Sequence, residues 1–527
     1  MRRFNVTGTC VGHEHYMVDI SGKLDEIQVL VERRQYFTIN RARQYGKTTT
    51  LLHLERRLEK NGEYICASIS FGDAGFHAFE TEELFCRMLM QKIEKALKTS
   101  NVPKDYAKKW FNADVKELAM LNGHITNLCE GKKVVLMIDE VDKSTNNRLF
   151  LHFLGMLREK FLARTAGNDH TFHTVILAGV TDIKNLKLKM INDGVYSRLK
   201  DEGRIVNSPW NIAAKFDVEM SFSPDEISTM LHEYESDFKT GMDISVLSNA
   251  VYSHTNGYPF LVSRICLCID EELDNNWTLE GVNDAVQIIL EEPNVLFDDM
   301  FKNLENHKNL YDFMYELLIL GESKSFNLYD QAVSLANTYG YIKKGAGRKQ
   351  TVVSNRIFET MIIDYFVARN ENSGQAKRVN GTIYQDVVSG DKFDMATCLK
   401  KFAVHYRELF TLKEETFFER HGRLLFLTFL KPLLNGQGHY HIESQLTDQR
   451  RMDLVVDFEK EQHILELKLW KGDAHREKAY QQLLGYMEKK GANEGYLLTF
   501  DFRKERAGEY TAEWVEVDGK RIFEVVV

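Results

Sequence analysis

The expected fold follows from a stretch that reads Asn40-Arg41-Ala42-Arg43-Gln44-Tyr45-Gly46-Lys47-Thr48-Thr49. Apolar residues lead up to Ile39, and a helical pattern extends over Thr48–Lys60. A glycine, a lysine and a threonine between a strand and a helix supply inward-pointing N–H groups, a positive charge and a hydroxyl at a helix N-terminus. These groups bind adjacent phosphates, so the stretch predicts a phosphate-binding loop.

A second stretch supports this prediction. It reads Lys133-Val134-Val135-Leu136-Met137-Ile138-Asp139-Glu140, an apolar strand that ends in two carboxylates. In a nucleotide site, Lys47 would reach the outer phosphates, while Thr48 and Asp139 would ligate Mg²⁺. Glu140 would polarise the attacking water. The alternative is a buried strand followed by carboxylates that cap the next helix.

Short apolar strands alternate with amphipathic helices from about residue 35 to residue 210. Helices are expected between the strands, for example over Glu82–Leu97. The strand candidates are Tyr36–Asn40, Tyr64–Ser70, Val134–Asp139 and Thr174–Gly179. Buried strands separated by helices predict an α/β fold, in which helices cover both faces of a parallel sheet.

The rest of the chain divides into four segments. Residues 211–305 have a mostly helical pattern, and residues 306–370 follow the order helix, helix, turn, strand, helix, which is typical of a winged helix. A basic turn over Lys343–Lys349 either contacts phosphates or belongs to a domain that packs as a lid. Residues 371–394 are polar and are predicted to be a linker. Residues 395–527 predict a second α/β domain that ends in a hairpin at Asp518-Gly519.

A second group of chemistry-bearing residues lies near the C-terminus. Asp453 is on one predicted strand, and Glu466-Leu467-Lys468 is on the next. Residues two apart on a strand point to the same face, so Glu466 and Lys468 share a face while Leu467 points into the core. Two carboxylates on neighbouring strands can hold Mg²⁺, and a lysine beside them can assist phosphodiester hydrolysis. For an isolated Glu-x-Lys, an exposed strand face is the simpler alternative.

Further charged residues flank this pattern. Glu419, on the preceding helix, and Glu443, on the strand before Asp453, either complete a metal shell or lie on a solvated surface. Four arginines either contact phosphates or form a solvated charged face; they are Arg420, Arg423, Arg450 and Arg451.

Bulk composition narrows the class of protein. The 527 residues allow two to four domains, and 43% hydrophobic with 28% charged residues is ordinary for a globular chain. A net charge of −9 argues against a chain that coats nucleic acid through its overall field, although a local basic groove is compatible with it. The N-terminus lacks the apolar region of a signal peptide, and no apolar run suggests a membrane span. Seven scattered cysteines are expected to stay reduced, with Cys266 and Cys268 in a helix core, so a cytoplasmic protein is expected.

The loop resembles the R-x-R-x-F/Y-G-K-S/T loop of bacterial and archaeal AAA-ATPase-like proteins, P-loop ATPases close to the STAND group. Arg41 replaces the first glycine of the G-x-x-x-x-G-K-S/T pattern, which is normal in that group. Three further segments are similar to the sensor strand, the S-P-F/W-N-I segment and the G-x-P motif of these proteins; they are Ala178–Thr181, Ser208–Ala213 and Gly257–Leu261.

This resemblance implies an ATPase domain over residues 1–210 and a helical lid over 211–305. Nucleotide contacts are then expected from Arg43, Gln44, Tyr45, Gly46, Lys47, Thr48, Thr49, Asp139, Thr181 and Arg264. Arg198 or Arg204 is either a finger that acts on a neighbouring subunit or an ordinary surface arginine.

The C-terminal pattern resembles the PD-(D/E)XK nuclease superfamily, which has a restriction-endonuclease-like α/β fold. Ala479-Tyr480-Gln481-Gln482-Leu483 is similar to its A-x-x-Q-L helix, and Gln482 matches the functional glutamine. The resemblance implies a catalytic set of Asp453, Glu466, Lys468 and Gln482, with the metal on Asp453 and Glu466.

Together the two resemblances imply an ATP-binding ATPase that regulates or positions a Mg²⁺-dependent nuclease. ATP and Mg²⁺ are the expected cofactors. Nucleic acid, with DNA favoured, is the expected partner of the C-terminal domain, and a homo-oligomer without membrane contact is the expected assembly. The alternative function is a nucleotide-switched binding protein, in which the nuclease fold holds a partner without cutting it.

Overall fold

The computed structural model divides the chain into two compact units, residues 1–291 with 338–340, and residues 292–337 with 341–527. It describes residues 2–100, 102–143, 148–180, 210–319, 322, 324–345, 350–372, 385–410, 415–434, 438–443, 453–459, 461–470, 472–501 and 510–527. Across those ranges, no helix is both long and apolar enough to cross a membrane. All seven cysteines are free thiols, as the sequence predicts.

A parallel four-stranded sheet forms the centre of the first unit. Its strands are β1 (Phe37–Asn40), β2 (Tyr64–Ser70), β3 (Lys133–Asp139) and β4 (Thr174–Gly179). The order across the sheet is β1-β4-β3-β2, and every pairing is parallel. The predicted strand positions and the parallel direction are therefore confirmed.

Helices cover both faces of this sheet. Alternate residues of β3 enter different cores: Leu136 belongs to one cluster, and Val135 and Met137 belong to the other. Successive strand residues point to opposite faces, so an uninterrupted apolar strand needs cover on both sides. The covering helices are α1 (Ser21–Glu32), α2 (Lys47–Lys60), α3 (Glu82–Thr99), α4 (Lys104–Lys109), α5 (Leu118–Cys129) and α6 (Arg148–Thr165).

Four helices follow in the segment predicted as a lid, namely α7 (Pro224–Phe238), α8 (Ile244–Thr255), α9 (Pro259–Glu271) and α10 (Leu279–Glu291). A capping box between Ser223 and Glu226, with Pro224 in the first turn, starts α7. Cys266 and Cys268 are buried in α9, as expected for core residues.

The second unit begins with α11 (Val295–Asn306), α12 (Lys308–Leu318) and α13 (Gln331–Thr338). The hairpin of β5 (Ile342–Lys344) and β6 (Thr351–Val353) follows, and then α14 (Arg356–Asn372). This order agrees with the prediction except for β5, which includes Lys343 and Lys344 of the predicted turn. The winged-helix assignment itself stays a prediction. A second hairpin, β7 (Val388–Ser389) and β8 (Lys392–Phe393), lies inside the stretch predicted as a linker.

The C-terminal part contains a mixed six-stranded sheet in the order β13-β14-β12-β11-β10-β9. Its strands are β9 (Gly438–Glu443), β10 (Asp453–Phe458), β11 (Glu461–Leu469), β12 (Glu494–Phe500), β13 (Thr511–Val517) and β14 (Lys520–Val526). The last two form the predicted hairpin, in which Asp518 and Gly519 adopt positive φ. Neighbouring pairs are antiparallel except β11–β12 and β12–β14.

Three helices pack on this sheet, namely α15 (Met395–Phe410), α16 (Glu415–Leu434) and α17 (Asp473–Lys490). Leu483 and Met487 of α17 share an apolar cluster with Leu497 of β12. On α15, Phe402 contacts the ring of Phe426 at 5.0 Å and more distantly that of Phe500 at 6.4 Å, which ties both α16 and β12 to α15.

Candidate functional site

The predicted phosphate-binding loop connects β1 to α2. Gly46 adopts a φ of 74° at the start of α2, and Lys47 is the first residue of the helix. The Lys47 ammonium donates hydrogen bonds to the main-chain oxygens of Arg41 (2.9 Å) and Ala42 (2.7 Å). The lysine therefore folds back over its own loop, at the end of a helix whose N–H groups attract anions.

Arg41, which replaces the first glycine of the pattern, has a structural role. Its guanidinium donates to the main-chain oxygens of Asn40 (2.9 Å) and Val218 (2.7 Å). It also lies 5.4 Å from the ring centre of Phe216, which is a favourable cation–π geometry. Arg41 thus fastens the segment around Val218 to the beginning of the loop.

Thr48 and Asp139 meet in the arrangement that the sequence predicts. The Thr48 hydroxyl donates to the Asp139 carboxylate at 2.5 Å, and Asp139 is 7% exposed. A hydroxyl and a carboxylate are oxygen ligands that suit Mg²⁺. Burial lowers the pKa of Lys47, and the carboxylates of Asp142 and Asp139 oppose that shift. The loop lysine is therefore close to the negative charge at the end of β3.

Glu140 lies directly after β3 and is exposed. Its φ of 54° places it in the left-handed region, which non-glycine residues rarely occupy and which often marks a functional site. Its carboxylate lies against Gly72, where an added Cβ would come within 1.7 Å of Oε2. The geometry leaves the carboxylate beside the loop that follows β2, at the edge where β3 ends.

The strand predicted to carry a sensor residue is β4, which lies between β1 and β3. Its end is tied to the same edge, because the Arg41 N–H donates to the Gly179 oxygen and the Val180 N–H donates to Asp142 at 2.6 Å. Thr181, Arg198, Arg204, Ser208 and Pro209 lie outside the described residues.

A cavity of about 380 Å³ adjoins the loop. Gln44, Tyr45, Gly46 and Thr49 line one wall, and apolar residues such as Met220, Phe222 and Phe260 line another. The N-terminal segment, which we define as residues 5–20, closes the remaining side. A largely apolar cavity with a few polar groups beside a phosphate loop suits a flat nucleobase.

The sequence analysis did not identify the N-terminal segment as part of the site. The Cys10 N–H donates to the Thr49 hydroxyl at 3.2 Å, and the Tyr16 hydroxyl donates to Asp237 of α7 at 3.0 Å. The segment has no motif, and its place in the site comes from these long-range contacts.

The Gly257–Leu261 motif is in contact with the loop. The Tyr258 hydroxyl donates to the main-chain oxygen of Arg43, and its ring meets the Tyr45 ring edge-on at 4.8 Å. Burial raises the pKa of Tyr45 to about 12. Arg264, one turn further on, forms an ion pair with Glu272 at 2.6 Å, so its expected contact with nucleotide stays a prediction.

Glu466 and Lys468 of the predicted nuclease site form an ion pair on β11. Glu466 is 1% exposed and Leu467 is fully buried, so this is no solvent-exposed strand face. Asp453 is the register partner of Glu466, and Glu443 is the register partner of Asp453. The three acidic positions therefore lie side by side on neighbouring strands.

Two more residues belong to this region. Gln482 lies on α17, which packs on β11, and its buried Oε1 has no hydrogen-bond partner among the residues that the structure describes. Arg423 lies on α16, and its nearby counter-charge is Glu466. Its Nη1 atom is buried, and the residue as a whole is half-buried.

The structure does not complete the proposed metal shell. Within the described side chains, no group of three or more His, Cys, Asp or Glu residues is arranged to hold a metal ion. The side chains of Glu419, Arg420, Glu443 and Asp453 are outside that description, and so are Arg450 and Arg451 altogether.

Comparisons with known proteins identify the family of the chain. Residues 16–344, more than half of the chain, match the AAA-like domain family. No curated protein sequence gives a significant match. Three solved structures are similar to this chain: a Walker-type ATPase of Pyrococcus abyssi (12% identity, 68% of this chain and 99% of that chain, TM-score 0.45), the ORC2 protein of Aeropyrum pernix in ADPNP–ADP complexes (12%, 66% and 95%, 0.36), and Cdc6p from Pyrobaculum aerophilum (13%, 65% and 93%, 0.30).

The family match includes β1, the loop, β3 and the motif that contacts the loop. The chain therefore belongs to the AAA-like domain family and has the fold of a P-loop ATPase.

Proposed function

We propose that the first unit binds and hydrolyses ATP and that this cycle regulates or positions a metal-dependent nuclease in the C-terminal domain. The contact of Thr48 with Asp139, whose charge acts on the amine of Lys47, carries the ATPase part of this proposal. Hydrolysis adds water to the γ-phosphorus and breaks its bond to the β–γ bridging oxygen, with Glu140 taking the proton of the water. Mg²⁺ held by Thr48 and Asp139 would neutralise charge on the phosphates.

Nucleotide titration of the full-length chain tests this part. We expect a fluorescent ATP analogue to bind the wild type and to lose detectable binding in Lys47→Ala. Lys60→Ala is the matched control, because Lys60 is the exposed last residue of the same helix. Equal ATP affinity in a folded Lys47→Ala protein would contradict the proposal.

The nuclease part is supported by the buried Glu466–Lys468 pair beside the register partners Asp453 and Glu443. Water would attack a phosphodiester phosphorus, and a P–O ester bond would break with proton transfer to the leaving oxygen. The carboxylates would hold Mg²⁺, and Lys468 would stabilise the developing charge. We favour DNA as the substrate. We also propose that the protein assembles as a homo-oligomer in the cytoplasm.

Labelled DNA and RNA incubated with Mg²⁺ or Mn²⁺, with and without ATP, test this part. Cleavage by the wild type should disappear in Glu466→Gln and persist in Glu494→Gln, since Glu494 is exposed and lies on the next strand. A wild-type protein that cuts neither nucleic acid would favour the alternative, a nucleotide-switched binding protein.

A further inference from the structure

The residues beside Arg423 on α16 are packed against the sheet. Leu424 and Leu425, which follow it on α16, are each 3% exposed. Gly422, which precedes it, faces Phe500 of β12, where an added Cβ would come within 2.9 Å of the ring. This close approach of helix and sheet depends on the missing side chain at Gly422. Arg423 itself is half-buried on this packed helix.

The Nη1 atom of Arg423 is buried and has no hydrogen-bond partner in the part of the chain that the structure describes. Burial lowers the pKa of Arg423, and the negative charge of Glu466 opposes the shift. A buried guanidinium donor without an acceptor is costly, and native proteins rarely keep one unless a ligand or another group completes it.

The chemistry of a guanidinium indicates which ligand suits it. Glu466 already forms an ion pair with Lys468, so Arg423 is not needed as its only counter-ion. A guanidinium offers a planar fork of donors that fits phosphate oxygens, and it stays charged under all ordinary conditions. A phosphate group is therefore a ligand whose oxygens suit this donor.

We propose that Arg423 is a phosphate ligand of the C-terminal site, which binds a non-bridging oxygen of a nucleic-acid phosphodiester beside Glu466. This inference rests on the proposed nuclease function and adds the residue that holds the substrate. Lys468 keeps the role of stabilising the charge that develops during cleavage. The unpartnered Oε1 of Gln482 on α17 can accept a hydrogen bond from water in the same region.

The test uses the full chain and a labelled DNA oligonucleotide, single-stranded and duplex. Binding is measured with Ca²⁺, and cleavage is measured with Mg²⁺ or Mn²⁺. We expect Arg423→Gln and Arg423→Met to reduce the cleavage rate by about 100-fold, the usual loss for one donor to a reacting oxyanion. DNA affinity should fall by about 10-fold, the scale of one charge-assisted hydrogen bond. Arg521→Gln is the matched control, since it removes one positive charge from an exposed position in the same domain.

Thermal unfolding separates this role from a structural one. If Arg423 merely held Glu466 in place, Arg423→Met would lower Tm. An arginine that binds a ligand is an uncompensated buried charge in the free protein. Arg423→Met should therefore leave Tm unchanged or raise it, while DNA binding is weakened. A lowered Tm with unchanged DNA affinity overturns the inference.

The remaining outcomes separate the two proposals. If the wild type cleaves DNA and the Arg423 variants cleave within about threefold of it, a small effect on the scale of one hydrogen bond, the inference fails and the nuclease stands. If the wild type cuts nothing, the nuclease fails; loss of Ca²⁺-supported DNA binding in Arg423→Gln but not in Arg521→Gln then still supports the phosphate contact. Absent or equal DNA binding in all proteins overturns it.

Discussion

Replacement of Gly72 by alanine should separate ATP hydrolysis from ATP binding. An added Cβ at Gly72 would lie 1.7 Å from Oε2 and 2.8 Å from the carboxyl carbon of Glu140. Gly72 is not among the glycines with positive φ, so alanine is compatible with its backbone. The atoms that it meets are at the end of a flexible side chain. The Glu140 carboxylate should therefore move, and the fold should survive.

The size of this movement sets the expected effect. A normal carbon–oxygen contact is about 3.3 Å, so the Glu140 carboxylate must retreat by about 1.6 Å. A misplacement of about 1 Å can cost about 100-fold in rate. We expect kcat for ATP hydrolysis to fall by about that factor in Gly72→Ala. Nucleotide affinity should change little, because Lys47 and Thr48 keep their positions.

Phosphate release at saturating ATP measures kcat, and titration with a fluorescent ATP analogue measures nucleotide affinity. Gly75→Ala is the control, because it lies in the same loop and its added Cβ meets nothing within 4 Å. Glu140→Gln gives the rate of ATP hydrolysis when the Glu140 carboxylate is absent. The reasoning is refuted if Gly72→Ala hydrolyses ATP at the wild-type rate while Glu140→Gln is slow. If both variants are as fast as the wild type, Glu140 has no catalytic role.

Three further results are expected. Thr48→Val removes the hydroxyl that meets Asp139 and should weaken Mg²⁺-dependent ATP affinity by about 10-fold or more, with little change in Mg²⁺-free binding, as isothermal titration would measure. Gly257→Ala should lower Tm by several degrees more than Gly241→Ala, because both glycines have positive φ but only the first would place a Cβ 1.9 Å from a main-chain oxygen; equal losses would exclude the steric cause. Burial lowers the pKa of His173 to about 4, so the unfolded chain takes up the proton first and stability should fall as pH drops from about 6.5 toward 4; an equally steep fall of Tm in His173→Gln would contradict this origin.

The sequence by itself determined the local elements of this protein. The apolar runs at β2, β3 and β4 predicted those strands to within one residue, because an apolar strand bounded by polar residues is a local signal. The terminal hairpin followed from Asp518-Gly519, a dipeptide that tolerates positive φ. The meeting of Thr48 and Asp139 was also predictable, since parallel strands end at the same edge of a sheet.

Other features depend on contacts between residues far apart in the chain. Only the fold places β4 between β1 and β3, turns Arg41 toward Val218, and pairs Arg264 with Glu272. No local pattern specifies these partners, because a long side chain has several donors and the nearest acceptor is set by packing. The N-terminal segment lines the cavity for the same reason.

Gly72 and Arg423 illustrate most directly what a sequence cannot predict. In the sequence, Gly72 is one glycine of the loop after β2, and Arg423 is one of several arginines near a catalytic pattern. The tertiary structure decided that Gly72 leaves room for the Glu140 carboxylate and that the Nη1 atom of Arg423 is buried. Local periodicity determines which residues form an element, whereas burial and proximity depend on how distant elements pack together.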